Sequence, residues 1–336
     1  MIYFPKRIEL ELSSFCIAKC VSCTRVDIDE DNGIMYYNPF GVRDLNLDLE
    51  FLQEKFFYQP WFKDVKSLYS IGNNGDPMSH PGIAEIYREA KKHGRNLELS
   101  MHTNGSLGKT ETFEELAEII TGLGSSIIFS IDGLEDTNHL YRAGVSWKRL
   151  MHNVKTYINA GGIATWKFIV FKHNEHQVGQ AKKLAYDLGF KNFRISSNLM
   201  TKEVAEKKLQ KLWKTNFKLV KEVKQVSGLP PPHGWKPGYK QPKQLWIDRV
   251  ELEPECTRDG WFYVTSDKRF FPCCNTYYCS SDNYKEFYDW FNEDGDWNDL
   301  TKYSVEEVLK HKKMYELVST FDKPKINRLC AENCKK

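Results

Sequence analysis

The chain has 336 residues and a formal net charge of only +3. Hydrophobic residues make up 41% of it and aromatic residues 14%, which argues against a disordered chain and predicts a sizeable core. The small net charge excludes a chain that is a polyelectrolyte for nucleic acid as a whole. The length suits one large α/β domain with a small appendage.

The N-terminal residues MIYFPKRIELELSS contain neither a long apolar run nor a small-residue cleavage site, so no signal peptide or membrane span is predicted. We therefore expect a cytoplasmic protein, in which nine cysteines do not form a disulfide framework. Three cysteines lie within eight residues near the N-terminus and six follow residue 255. Such clustering is typical of metal binding rather than packing.

Apolar runs alternate with helical patterns along the first two thirds of the chain. The expected strands are Ile8–Leu12, Lys66–Ile71, Leu97–Met101, Ser126–Ile131, Thr165–Phe171 and Asn192–Ser196. The expected helices are Pro81–His93, Phe113–Thr121, Trp147–Ala160 and Glu175–Leu188, with helix stops at Gly161, Gly162 and Gly189. This alternation predicts a parallel sheet in a partial (β/α)6 barrel of the TIM type, an α/β fold.

Three further segments divide the chain. Residues 24–47 have no clear period and read as a long functional or mobile loop. A lysine-rich helix is expected over Lys202–Val226, followed at 227–244 by a Pro/Gly-rich linker or covering loop. A domain boundary near residue 228 gives a barrel over 1–228 and a small α+β domain over 229–336. That domain should hold strands in WIDRVEL and WFYVTS and a helix over Val305–Phe321.

Cys16, Cys20 and Cys23 form a C-x3-C-x2-C motif just after the first expected strand. Ligands of parallel α/β sheets sit at the carboxyl ends of the strands, so these cysteines are expected on the catalytic face. Three thiolates can ligate three irons of a [4Fe–4S] cluster and leave the fourth without a protein ligand. The alternative is a zinc site, which would need a fourth ligand that is not nearby.

The motif in this position resembles the signature of the radical S-adenosylmethionine (SAM) superfamily. The resemblance implies a cluster whose open iron chelates SAM, reductive cleavage of SAM, and hydrogen abstraction by a 5′-deoxyadenosyl radical. Two positions depart from the family pattern. Ser22 stands where an aromatic residue usually precedes the third cysteine, and Ile17 stands where Asn often follows the first.

Residues at later strand ends extend the resemblance. Asn74, Gly75, Asp76 and Pro77 resemble the family's GGEP motif, which binds the SAM amino group. A glycine permits close backbone approach, and a carboxylate can accept from an ammonium. An ordinary β-turn is the alternative interpretation of this sequence.

The stretch after the third strand, with Thr103 and Asn104, is like the family's TNG segment. Ser130, Asp132 and Arg142 lie in the most family-like part of the chain, and the resemblance implies that Ser130 and Arg142 contact SAM. A surface salt bridge is the alternative for Arg142. Asn174 also matches a region that approaches SAM in the family.

The C-terminal cysteines follow a second resemblance. DKRFFPCC resembles the cysteine-bearing hairpin of twitch and SPASM domains, although Lys268 stands where that hairpin usually has Gly. The resemblance implies a twitch (SPASM-like) domain with one auxiliary [4Fe–4S] cluster. Its implied ligands are Cys256, Cys273, Cys330 and Cys334, and a structural zinc site with the same four cysteines is the alternative. Cys274 and Cys279 are left over as candidate catalytic thiols.

The implied function is oxidative modification of a peptide, a protein or a small molecule, with a reductant such as flavodoxin or ferredoxin as partner. A tRNA- or nucleotide-modifying enzyme of the same superfamily is a second hypothesis, since the lysine-rich helix could bind RNA. We favour a solvated face for that helix. The third hypothesis is a binding module without catalytic activity, in which bound metal only stabilises the fold.

Overall fold

The structure is a computed structural model. The structure describes residues 4–20, 23, 26–29, 33–36, 45–171, 173–196, 246–248, 251, 254–277, 285–319, 325–327, 330 and 334. Three predictions lie outside the described residues: the lysine-rich helix, the Pro/Gly-rich segment and the position of Cys279.

One open sheet dominates the described part of the chain. The strands of this sheet are β1 (Arg7–Leu10), β4 (Ser67–Ser70), β5 (Glu98–Thr103), β6 (Ser126–Ser130), β7 (Ala164–Ile169), β8 (Asn192–Ser196), β10 (Trp261–Val264) and β11 (Phe270–Phe271). Their order in the sheet is β11-β10-β1-β4-β5-β6-β7-β8, and every neighbouring pair is parallel except β10 with β11. The six parallel strands β1 and β4–β8 confirm the partial barrel expected from the sequence, with a sheet that does not close.

The helices of the barrel connect its parallel strands. They are α1 (Leu49–Leu52, which continues as a π-helix over Gln53–Phe57), α2 (Ile83–His93), α3 (Thr110–Ile119), α4 (Asn138–Tyr141), α5 (Trp147–Asn159) and α6 (Val178–Asp187). Short 3-10 helices cover Phe62–Asp64, Pro77–Ser79 and Glu175–Gln177. Gly161 and Gly189 follow α5 and α6 at φ angles of 90° and 94°, so both are the expected helix stops.

An aromatic layer packs between the sheet and its helices. Trp166 and Phe168 of β7 are fully buried and contact Phe193 of β8, while Trp166 also packs on Phe190. Successive residues of a strand point to opposite faces. The residues that alternate with these aromatic side chains therefore face the inside of the barrel.

The connection after the cysteine motif differs from the expectation of an irregular loop. It contains an antiparallel pair of strands, β2 (Val26–Asp29) and β3 (Gly33–Tyr36). The overlooked signal is the Asn-Gly pair at 32–33, since Asn-Gly is a strong indicator of a hairpin turn.

The C-terminal region extends the barrel sheet. β10 pairs in parallel with β1, and β10 and β11 form a hairpin. The remaining elements are β9 (Trp246–Asp248), paired with β12 (Lys325–Asn327), and the helices α7 (Glu255–Arg258), α8 (Cys274–Tyr277), α9 (Lys285–Asn292), α10 (Val305–Lys310) and α11 (Lys312–Ser319). The single helix expected over Val305–Phe321 was wrong. It is broken at His311, which has an extended backbone and a ring stacked on Trp297.

Candidate active site

The three N-terminal cysteines lie beyond the carboxyl end of β1, as the motif predicts. Cys20 is buried, and Cys16 and Cys23 are partly buried. The side-chain amide of Asn104 donates to Sγ of Cys16 at 3.6 Å, and Nη1 of Arg142 donates to Sγ of Cys20 at 3.7 Å. Donors from two other strand ends thus reach two of the three sulfurs.

These surroundings fit thiolate ligands. Burial raises the pKa of Cys20 to about 11, and the neighbouring charge of Arg142 opposes that rise. A metal centre removes the thiol proton outright, so the cost of burying a thiolate is offset when iron is bound. Within the described ranges, no three His, Cys, Asp or Glu side chains converge to hold a single metal ion. In a [4Fe–4S] cluster, each thiolate binds a different iron.

The turn that contains Gly75 packs against the backbone of residues 13–15, just before the first cysteine. The N–H of Asp76 donates to the carbonyl of Phe15 at 2.7 Å. A Cβ atom added at Gly75 would lie 1.9 Å from the carbonyl oxygen of Ser13. Glycine is therefore required here by close approach, which brings the turn and the cysteine loop together.

Asp76 organises this region from a buried position. Its Oδ1 accepts from Thr103 Oγ1 at 2.8 Å and from Met78 N at 3.0 Å, and its Oδ2 accepts from the backbone and side chain of Asn104. A carboxylate has about four acceptor positions, so these four donors fill it. The sequence-based expectation that Asp76 accepts from the SAM ammonium stays a prediction. In this structure its carboxylate positions Thr103 and Asn104.

A second buried network joins the ends of β6 and β7. Asp132 accepts from Arg142 Nε at 2.6 Å and from the N–H of Ile169 at 2.6 Å. Although burial alone would lower it, Asp132 and Cys20 raise the pKa of Arg142 well above its usual value. Arg142 is thus a fixed cation rather than one partner of an exposed surface pair.

Asn174 belongs to the same network through the backbone. Its side chain accepts from the N–H of Phe171 at 2.7 Å and donates to the carbonyls of Asp132 and Ile169 at 2.9 Å. All of these partners are backbone atoms of the barrel. Asn174 is therefore held as a support of the strand ends, and Ser130 lies buried at the end of β6 beside this network.

The structure also brings together the four C-terminal cysteines that the sequence grouped. Burial raises the pKa of Cys330 well above its usual value, and the charges of Cys256, Cys273 and Cys334 raise it further. Cys256, Cys273 and Cys334 therefore each lie close enough to Cys330 to affect its pKa. The N–H of Cys334 donates to the carbonyl of Cys330 at 2.8 Å. Cys274, the first residue of α8, is partly buried.

Comparisons with known proteins agree with this arrangement. The model of the Radical SAM superfamily matches residues 10–185, which is more than half of the chain. The chain belongs to the radical SAM superfamily.

A curated relative and two solved structures are similar to this radical SAM chain. The relative is the tungsten-containing aldehyde ferredoxin oxidoreductase cofactor-modifying protein of Pyrococcus furiosus, 29% identical over 205 residues. That match covers 58% of this chain and 52% of the relative, so the chain matches about half of the relative's length. Streptococcus suis SuiB bound to the precursor peptide SuiA has a TM-score of 0.59 at 14% identity, covering 95% of this chain and 67% of SuiB. The structure of anSMEcpe with bound AdoMet has a TM-score of 0.55 at 15% identity, covering 98% of this chain and 87% of anSMEcpe. At these identities the two structures support the fold.

Sequence reasoning missed two glutamates inside this radical SAM barrel. Glu11 accepts from the N–H groups of Asn73 at 3.0 Å and Gly75 at 3.1 Å, and from the hydroxyl of Tyr263 at 2.7 Å. Burial raises the pKa of Glu11 to about 7, and burial together with the charge of Glu11 raises the pKa of Glu9 to about 8. The available signal was the alternation in ELEL, which places Glu9 of β1 and Glu11, just after β1, on the same face of the extended segment.

None of the helices in the described ranges is both long and apolar enough to cross a bilayer.

Proposed function

We propose that this chain reductively cleaves SAM and uses the resulting 5′-deoxyadenosyl radical to abstract a hydrogen atom from a substrate. The observation that carries the proposal is the contact of Asn104 and Arg142 with the sulfurs of Cys16 and Cys20, in a member of the radical SAM superfamily. When bound, the [4Fe–4S] cluster supplies the electron for SAM cleavage. Cys16, Cys20 and Cys23 would hold it.

The residues around the cysteines would bind and orient SAM. The turn over Asn74, Gly75, Asp76 and Pro77 is proposed to meet the amino group of SAM through its backbone, since the Asp76 carboxylate is occupied by protein donors. Ser130 and Arg142 are proposed to meet the ribose and the carboxylate. Arg142 uses Nε and Nη1 on Asp132 and Cys20, and a guanidinium has five donors in all.

The remaining proposed contacts are indirect. Thr103 and Asn104 are held by Asp76, and Asp132 and Asn174 are held by the strand ends. These four residues would keep the SAM-binding loops in place. Burial of their hydrogen bonds gives the rigid support that a radical reaction requires to exclude water.

The C-terminal region is proposed to be a twitch-like domain with one auxiliary [4Fe–4S] cluster. The proximity of Cys256, Cys273, Cys330 and Cys334 supports it. Such a cluster could accept the electron that a substrate radical must lose to become an oxidised product. We therefore propose oxidative modification of a peptide, a protein or a small molecule. A peptide substrate is supported by SuiB, which was solved with a precursor peptide. A small-molecule substrate is supported by the Pyrococcus furiosus relative, which is described as cofactor-modifying.

The test is SAM cleavage by protein that has been reconstituted without oxygen and reduced with dithionite. The unsubstituted protein should form 5′-deoxyadenosine, and Cys20→Ala should form none because one cluster ligand is gone. The iron content of the Cys20→Ala protein is measured as well, because iron that it still binds shows that the C-terminal cluster site is intact. Normal 5′-deoxyadenosine formation by Cys20→Ala would contradict the proposal. A flavodoxin or ferredoxin should replace dithionite if the reductant is as expected.

A further inference from the structure

The barrel interior has a basic wall on β7 and β8. Lys167 lies between Trp166 and Phe168, whose side chains are buried on the outer face of the sheet, so Lys167 faces inward. Arg194 follows Phe193, which packs on the same outer layer, and therefore faces inward as well. Parallel pairing aligns Ser130 with Lys167 and Lys167 with Arg194. The two cations are thus neighbours on one layer of the barrel.

Among the described residues, Lys167 and Arg194 have no ion-pair partner. No carboxylate of the described residues lies within ion-pair distance of Lys167 or Arg194. The nearest acid that acts on Lys167 is Asp132, which already pairs with Arg142. Burial lowers the pKa of Lys167, and the charges of Arg142 and Arg194 lower it further.

The same two cations also affect the pKa of a nearby histidine. His102 of β5 is held neutral because burial, and then the charges of Lys167 and Arg194, lower its pKa to about 3. Because His102 is neutral, it does not change the net charge of the wall. Lys167 is partly buried and Arg194 is exposed, so both charges are accessible to an anion that enters the open barrel from solvent. A counter-charge placed there would offset the desolvation of Lys167.

We infer that Lys167 and Arg194 bind an oxyanion of the substrate, a carboxylate or a phosphate, inside the barrel. This inference rests on the proposed function, because it places that group beside the SAM site. Arg194 offers the planar fork that matches both oxyanions, and Lys167 offers a compact point charge. Fixing one end of the substrate there would orient its reacting carbon toward the strand ends.

The competing occupant is the carboxylate of SAM itself. Ser130 and Arg142 are already assigned to SAM, and Arg194 lies two strands beyond Ser130. Two strand spacings separate the backbones of Ser130 and Arg194 by about 10 Å. Anion binding by protein that is already saturated with SAM therefore distinguishes a second anion site from the site of the SAM carboxylate.

The experiment titrates SAM-saturated holoprotein with inorganic phosphate and, separately, with acetate, by calorimetry. Either anion should bind with one site per chain, and the tighter of the two identifies the oxyanion. Lys167→Gln/Arg194→Gln should weaken that binding about tenfold or more. Lys167→Arg keeps the charge and should retain binding. Lys155→Gln/Lys191→Gln removes two exposed charges outside the barrel and should bind the anion normally.

Three outcomes would overturn the inference. They are no binding of either anion, binding by Lys167→Gln/Arg194→Gln (the inner double variant) that is as tight as in the unsubstituted protein, and displacement of the anion by SAM. Circular dichroism and the thermal midpoint of the inner double variant show whether it is folded. If it is not, the Lys167→Arg protein and a single Arg194→Gln variant decide. Formation of 5′-deoxyadenosine is measured in parallel, so a failure of the proposed function is seen independently of anion binding.

Discussion

The hydroxyl of Tyr263 donates a 2.7 Å hydrogen bond to Oε2 of Glu11, across 252 residues of sequence. The same carboxylate accepts from the backbone of Asn73 and Gly75, in the turn proposed to bind the SAM amino group. The C-terminal hairpin and the turn at Asn73–Gly75 therefore share one acceptor. A disturbance of the hairpin should reach the turn through Glu11.

Tyr263→Phe tests this link. The variant removes one donor from a buried carboxylate, and a hydrogen bond to a charged group contributes about 1.5–3 kcal/mol. We expect a lower thermal midpoint and weaker SAM binding, because the Tyr263 hydrogen bond lowers the pKa of Glu11 and helps to keep it ionised. Tyr186→Phe, on a side chain that is 51% exposed, is the matched control. Unchanged SAM affinity in Tyr263→Phe would show that the hairpin does not support the turn.

Asp76→Asn separates two roles of Asp76. An amide puts an NH2 group against donors that now face a carboxylate oxygen, so the hydrogen bonds from Asn104 or Thr103 are lost. A positioning role predicts that SAM affinity and the thermal midpoint fall together, with the iron content unchanged. A direct contact with SAM predicts lower affinity at an unchanged midpoint. Asp64→Asn, at an exposed position, serves as the control.

The sequence predicted the repeating parts of this molecule better than its special contacts. Strand–helix alternation predicted all six parallel strands of the partial barrel, since hydrophobic periodicity directly reflects burial. It did not reveal that Tyr263 would reach Glu11, because a contact over that distance leaves no local pattern. The hydrogen bonds that Asp76 accepts from Thr103 and Asn104 were not predicted, for a related reason. Its residue type suits an ammonium, but the donors that occupy it come from another strand end.

Lys268 shows how a departure from a family pattern is accommodated. It adopts a left-handed φ of 66°, the conformation that a glycine favours. Its Nζ pairs with Asp48 at 2.7 Å and lies 4.9 Å from the ring centre of Phe51. The hairpin turn thus keeps a glycine-like geometry while the lysine side chain ties it to the start of α1.

Two substitutions at Lys268 should therefore differ. Lys268→Ala keeps the strained backbone and loses a partly exposed pair worth about 0.2–1 kcal/mol, so its thermal midpoint should fall. Lys268→Gly loses the same pair but relieves about 1 kcal/mol of backbone strain, and should be close to the unsubstituted protein. Equal losses in both variants would mean that the backbone strain is not significant.

Glu9→Gln should change how stability depends on pH. The pKa of Glu9 is raised from 4.5 to about 8, so between these values the folded protein holds a proton that the unfolded chain has lost. Its contribution to stability is present below about pH 4.5 and is lost as the pH rises toward 8. Glutamine does not titrate, so the variant lacks this pH-dependent loss of stability.

The variant should consequently gain in thermal midpoint relative to the unsubstituted protein as the pH rises from about 5.5 to about 8.5. Glu85→Gln, exposed on α2, should show a difference that does not grow with pH in this way. A Glu9→Gln difference that is constant over the range would indicate that Glu9 is ionised throughout.

Iron content tests whether the C-terminal cysteines hold a cluster. Two [4Fe–4S] clusters amount to about eight irons per reconstituted chain. Cys330→Ala/Cys334→Ala removes two of the four neighbouring thiols and should reduce the iron to about four. It should still form 5′-deoxyadenosine, because the three N-terminal cysteines are intact. Cys274→Ala is the matched control, since loss of this thiol should leave about eight irons. About four irons in the unsubstituted protein, together with one zinc that the double variant lacks, would instead identify a structural zinc site and remove the electron-acceptor role.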